Sequence, residues 1–138
     1  MLKFLHLGLL LFSAAFINAA RAESVLFLNP GSTQEAFWVS YSQFMQAAAR
    51  DLGIDLYILY SQRQPELTLA QARIALQGPN RPDYLIFVNE QYVAPQILRL
   101  AHNSGVKLFM VNNALTADQE ALVGERGDQV GSLVPNDE

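Results

Sequence analysis

Beyond the first 22 residues, short apolar runs alternate with segments whose apolar positions recur every three or four residues. SVLFLN at Ser24–Asn29 reads as a buried strand, and Pro30-Gly31 supplies the turn that ends it. Ser32-Thr33-Gln34-Glu35 follows as a capping box, in which hydroxyl and carboxylate satisfy each other's backbone N–H groups at a helix start. Phe37, Tyr41, Phe44, Met45, Ala48 and Leu52 then mark one apolar helix face, and Gly53 is placed to end the helix in a left-handed conformation. The scheme repeats. Residues 54–60 (IDLYILY) predict a strand, Pro65 opens a helix with Leu69, Ala72 and Leu76 on its stripe, and Gly78-Pro79 closes it. Residues 83–88 (DYLIFV) predict a third strand, followed by a helix carrying Val93, Ile97, Leu100 and Ala101 and ending at Gly105. Residues 106–111 (VKLFMV) predict a fourth strand.

Strands apolar throughout, separated by amphipathic helices, imply a parallel sheet covered on both faces, an α/β doubly wound fold. The pattern fails after Asn112. Residues 114–131 predict no helix, and residues 131–134 predict a brief strand. No closing helix precedes Glu138, and a doubly wound sheet ordinarily continues until its edge is covered. The expectation is a truncated lobe over residues 23–138.

The first 22 residues have a different character. Lys3 gives a positive start, residues 4–17 are almost entirely apolar, and Ala20-Arg21-Ala22 supplies the small-x-small pattern of a cleavage site. The apolar run is shorter than the roughly 20 residues a spanning helix needs, so a cleaved secretory signal over residues 1–22 is expected rather than an anchor. Its removal places the mature protein in the periplasm. Removal also takes Lys3 and Arg21, so that 7 of the 9 basic residues face 13 acidic ones, a net charge of −6. That balance argues against nucleic acid as a partner, because phosphate neutralisation dominates such binding. The absence of cysteine excludes disulfides and thiol chemistry, and no metal or cofactor site is expected.

Candidate chemistry gathers at the predicted strand ends. In open parallel sheets the ligand sits beyond the carboxyl ends of the strands. Those ends are Asn29-Pro30-Gly31, residues 60–63, Asn89-Glu90 and Asn112-Asn113. Their amides pair a donor with an acceptor and can bridge adjacent hydroxyls of a polyol. Trp38, with Phe37, can offer a flat apolar face to the C–H side of a sugar ring. Plainer roles compete with each. Phe37 lies on the apolar stripe, which favours the core, and Trp38 lies one position off it, with cleft exposure and burial equally open. The three asparagines Asn29, Asn89 and Asn112 also suit strand ends, where they bond the following turn. Glu90 and Arg63 fit solvated loop charges better than ligands. Phosphate-cradling, dinucleotide-binding and nucleophile-elbow motifs are missing, and His102, the one histidine outside the signal, lies late in a helix, so enzymatic function is not expected.

With Phe37-Trp38, PDYLIFVNE (82–90) and GVKLFMVNN (105–113) in their β–α units, the sequence resembles the N-terminal lobe of type I periplasmic binding proteins. These are the sugar-binding components of ABC transporters, and the spacing from Pro30-Gly31 to Trp38 is nearest that of the autoinducer-2 receptors. GSLVPNDE at the end of the chain resembles the segment before the crossover into a second lobe. The resemblance implies two α/β lobes that close on a ligand like a hinge. It assigns ligand contact to Phe37, Trp38, Asn89 and Asn112-Asn113, and places Thr33 and Glu35 at the polar loop positions before the tryptophan. Asn112-Asn113 stands where ribose-binding members have an acid and an arginine, a departure that removes a bidentate contact. The function implied is capture of a small sugar-like solute by a monomer serving an inner-membrane ABC permease. A membrane sensor partner and a non-binding fragment are the alternatives. Intact-mass measurement of the protein recovered from the periplasm should show a chain that begins at Glu23; retention of residues 1–22 would contradict the cleaved signal.

Overall fold

Five strands pair as a wholly parallel sheet: β1 (Ser24–Asn29), β2 (Asp55–Tyr60), β3 (Tyr84–Val88), β4 (Lys107–Val111) and β5 (Gln129–Leu133). Their spatial order is β2-β1-β3-β4-β5. Between them run the helices α1 (Ala36–Leu52), α2 (Pro65–Gln77), α3 (Ala94–Ala101) and α4 (Ala117–Val123). The computed structural model describes residues 21–123 and 129–133. The expected signal segment, apart from Arg21 and Ala22, and residues 134–138 of the closing segment lie outside the described residues.

Because successive strand residues point to opposite faces, each central strand contributes to two cores. Leu26, Leu28, Leu85, Phe87, Leu108 and Met110 pack with Ala72, Leu76, Ala94, Ile97 and Leu98, so α2 and α3 cover one face. Phe27, Val88 and Val111 pack with Trp38, Tyr41 and Met45, so α1 covers the other. Helices on both faces of a parallel sheet make the doubly wound fold that the alternation predicts. The edge strand departs from it. Tyr57 and Leu59 of β2 are exposed, because α2 leans inward over β1 and against α3 and leaves the outer part of that face open.

Three local expectations are corrected. The predicted stripe of α1 places Phe37, Phe44 and Leu52 in the core, yet they are 59%, 74% and 72% exposed. The buried positions are Trp38, Ser42 and Ala49, one step around the helix, because Trp38 is locked against the end of β1 and sets the helical phase. The capping box does not cap. Ser32 N–H donates to Glu35 Oε1 at 2.9 Å, but the Ser32 hydroxyl accepts from Gln34 N–H, and the helix starts after Glu35. The pair closes the turn that precedes α1 instead.

The third correction is α4, a helix in a stretch whose pattern predicts none. Its start is a reciprocal box one residue type away from the familiar one. Thr116 N–H donates to Gln119 Oε1 at 3.0 Å, and Gln119 N–H donates to Thr116 Oγ1 at 3.4 Å. Asp118 and Glu120 in its first turn suit the positive helix end. Threonine followed three residues later by glutamine was the signal that could have found it. The last strand falls at Gln129–Leu133, two residues before its predicted start. Phe87, 1% exposed, and Phe44, 74% exposed, give a direct test of the phase. Phe87→Ala should cost about 3–5 kcal/mol in denaturant unfolding, and Phe44→Ala no more than about 0.5 kcal/mol.

Candidate functional site

The strand order reverses at β1: its chain continues into α1 on one face, while β3 continues into α3 on the other. Such a switch point leaves a crevice beyond the carboxyl ends of the two strands. At its floor lies Asn29, fully buried. Its Nδ2 donates to the Trp38 carbonyl at 3.2 Å and to Ser42 Oγ at 2.9 Å, and its Oδ1 accepts Gly31 N–H at 2.9 Å. Trp38, 3% exposed, lies directly on Gly31, where a Cβ would stand 2.1 Å from the indole Cδ1. Only glycine allows that approach. Phe37 stands edge-on to the indole at 4.9 Å and remains open to solvent.

The loop after β2 is laid across this floor. Ser61, Gln62 and Arg63 donate their N–H groups to the carbonyls of Asn29, Gly31 and Pro30 at 2.9, 2.9 and 2.8 Å. The crossing holds Gln62 and Arg63 at φ of 54° and 60°, in the left-handed region. It also brings the Arg63 guanidinium carbon 5.8 Å from the centre of the Trp38 ring. From there Arg63 Nε donates to both Glu35 oxygens at 3.1 and 2.9 Å, and Nη2 also donates to Glu35 Oε2. Nη1 donates to Glu90 Oε1 at 2.6 Å. One guanidinium thus spans the crevice, joining the β1 loop to the β3 loop. Hydrogen bonding to it holds the Glu35 carboxyl below its ordinary pKa, and bonding to Glu35 and then to Glu90 raises the pKa of Arg63.

Asn89 holds the next pair of loops. Its Nδ2 donates to the Ala114 carbonyl at 3.0 Å and to Gln119 Oε1 at 2.9 Å, and its Oδ1 accepts Ala94 N–H at 3.1 Å. Asn112 sits at the end of β4 with φ of 74°, and its amide donates to Asn113 Oδ1 at 3.4 Å. Thr33 is exposed in the turn before α1. Of the sequence-derived candidates, the structure therefore brings together Glu35, Glu90, Trp38 and Phe37. It buries Asn29 and Asn89, bonded to backbone and to the Ser42 and Gln119 side chains, and Thr33, Asn112 and Asn113 make no hydrogen bond to the ion cluster. Arg63, read beforehand as a solvated loop charge, is the residue at its centre. Its partners lie 28 and 27 positions away, so no local pattern announced the pairing.

Five of the six non-glycine residues with positive φ among the described residues follow the carboxyl ends of β2, β3 and β4: Gln62, Arg63, Gln91, Tyr92 and Asn112. Backbone held in sparsely populated conformations collects where a site over-determines the chain. The arrangement is a wall rather than a pocket. Around Pro30, Ser61, Arg63, Thr68 and Glu90 the enclosed volume is about 10 Å³, too small for a sugar. A larger groove of about 670 Å³ lies elsewhere, on the open face of β2 among Leu26, Tyr57, Leu59, Gln71, Ile74 and Arg81. It is mostly apolar and has no part in the strand-end geometry.

The family described as periplasmic binding proteins and sugar binding domain of LacI family matches residues 22–137. The chain belongs to this family. Among solved structures, a periplasmic sugar-binding protein from Pseudomonas fluorescens is 68% identical over 71% of the chain, with a TM-score of 0.67. An ABC sugar transporter subunit from Rhodobacter sphaeroides shares the fold at 17% identity over 81% of the chain, with a TM-score of 0.61. So does a periplasmic solute-binding protein from Actinobacillus succinogenes with bound D-allose, at 14% identity over 75% of the chain and a TM-score of 0.62. The chain spans 30% of the length of the first and 36% of each of the others. A comparison with curated proteins found no match.

Within this family the N-terminal-lobe reading of the sequence and its doubly wound topology stand. The tight seat of the indole gives a test of the site's architecture. Gly31→Ala should displace Trp38, the single tryptophan, shifting its fluorescence to longer wavelength and costing about 1–3 kcal/mol in unfolding. Unchanged emission would contradict the close contact.

Proposed function

We propose that the protein captures a small polar, sugar-like solute in the periplasm and delivers it to an inner-membrane ABC permease. The observation that carries this reading is the polar wall at the switch point, where Arg63, Glu35 and Glu90 lie over a buried indole at the carboxyl edge of the sheet. Hydroxyl-rich ligands bind through such mixed surfaces, in which polar groups fix orientation and aromatic edges shield the apolar ring face. Phe37, exposed beside Trp38, is the aromatic surface available to a sugar, and the indole beneath it keeps its orientation. Thr33, Asn112 and Asn113 complete the wall in this reading, while Asn29 and Asn89 act by holding the loops in place.

The 68% identity to a periplasmic sugar-binding protein supports the same ligand class, and the signal-like N-terminus supports export through a cleaved signal. The protein binds its solute as a monomer and does not transform it. Isothermal titration calorimetry of the protein as its gene encodes it, against a panel of pentoses and hexoses, should give saturable heat for at least one sugar. Phe37→Ala should weaken that binding by about 1 kcal/mol or more. No heat from any sugar would overturn the proposal.

A further inference from the structure

We infer that the Arg63 cluster is a charge filter, admitting uncharged polyhydroxylated solutes to the wall and rejecting their acid counterparts. The inference rests on the binding role proposed above and names the ligand chemistry that role requires. Its starting point is the content of the four strand-end loops. Residues 30–35, 61–64, 89–93 and 112–116 contain Glu35, Arg63 and Glu90 and no other charged side chain. One cation between two carboxylates leaves the wall with a net negative charge. Glu35 stands at the start of α1, where its carboxylate also offsets the positive end of that helix.

An arginine that receives an anionic ligand presents two parallel N–H groups to a carboxylate or phosphate. On Arg63 the Nε and Nη2 edge of this kind is already occupied. The edge formed by Nε and Nη2 is taken by Glu35, and Nη1 is engaged by Glu90. A sugar carboxylate approaching this wall would meet two like charges and a guanidinium already paired with both of them, and like-charge juxtaposition at an interface is costly.

A neutral hydroxyl meets a different surface. Of the five guanidinium N–H groups, three are used by the two carboxylates; Ser32 N–H and Arg63 occupy both Glu35 oxygens, while Glu90 accepts through Oε1 and keeps acceptor positions for a ligand. The row Glu35, Arg63, Glu90 therefore offers donors at its centre and acceptors at Glu90. Neighbouring hydroxyls, each both donor and acceptor, complement that row without adding charge. All three side chains are reachable, with exposures of 31%, 48% and 24% in the same order. Trp38 beneath and the backbone bonds of the β2 loop keep the guanidinium in place.

The test is calorimetry on the protein as its gene encodes it, with matched pairs such as D-glucose with D-glucuronate and D-galactose with D-galacturonate. The neutral member of the binding pair should be preferred at least roughly a hundredfold. In Glu35→Gln with Glu90→Gln, which frees the guanidinium, that preference should fall at least about tenfold, with the acid binding tighter than before. Glu90→Gln alone, in which Glu35 still anchors Arg63, should shift the ratio in the same direction and serves if the double variant does not fold. Equal affinity for sugar and acid in the unaltered protein would overturn the filter and leave the binding role standing. Parallel weakening of both ligands in the variants would show that the cluster merely holds the loops, and would also overturn it. Heat from neither member of any pair would overturn the binding role itself, and the filter with it.

Discussion

The Asn29 carboxamide ends the central strand without contact with solvent, and the geometry of the crevice follows from where its three hydrogen bonds go. Two hold α1, through the Trp38 carbonyl and the Ser42 hydroxyl, and the third holds Gly31 in the intervening turn. A buried amide left unpaired would cost about 1–3 kcal/mol, so the strand, the turn and the helix are fixed together. That fixing seats the indole against Gly31 and rotates α1 so that Trp38, Ser42 and Ala49 face inward. The exposure of Phe37 and Phe44 is a consequence of the same rotation.

Above the indole, the loop after β2 continues the parallel ladder past the strand by bonding to Asn29, Pro30 and Gly31. This extension holds two residues in left-handed backbone, and from there Arg63 completes the ion cluster. Exposed ion pairs contribute little stability singly. Here the value of the cluster is positional, since it ties three loops from three strands into one surface. Asn89 ties the loops of β3 and β4 in the same manner through Ala94, Ala114 and Gln119. Residues that resemble ligand contacts in the sequence thus divide into two kinds. Some present atoms to the crevice, and others hold the loops that do so.

The fold class was readable because its signals are short-range. Continuous apolar runs, stripes recurring every three or four residues, Pro65 at a helix start and Gly53 at a left-handed stop all act within a few residues, and the structure repeats the last two directly. The helix over Ala117–Val123 was also within reach, through Thr116 and Gln119, but its seven residues carry too little apolar periodicity to announce it otherwise. The phase of α1 was not readable. Six apolar residues made a convincing stripe, and the packing of one tryptophan on one glycine turned Phe37, Phe44 and Leu52 outward while Tyr41 and Met45 stayed against the core.

What the sequence determined by itself was the alternation of strands and helices, the parallel sheet covered on both faces, and the polar character of the strand ends. These depend on local propensity and on apolar pattern, which any stretch of chain carries with it. What only the tertiary structure decided was which of those polar residues share a surface. Glu35, Arg63 and Glu90 are separated by 28 and 27 positions, and only the strand order β2-β1-β3 sets their loops side by side. Charge at a strand end is a property of composition, whereas the pairing of charges across a switch point is a property of topology.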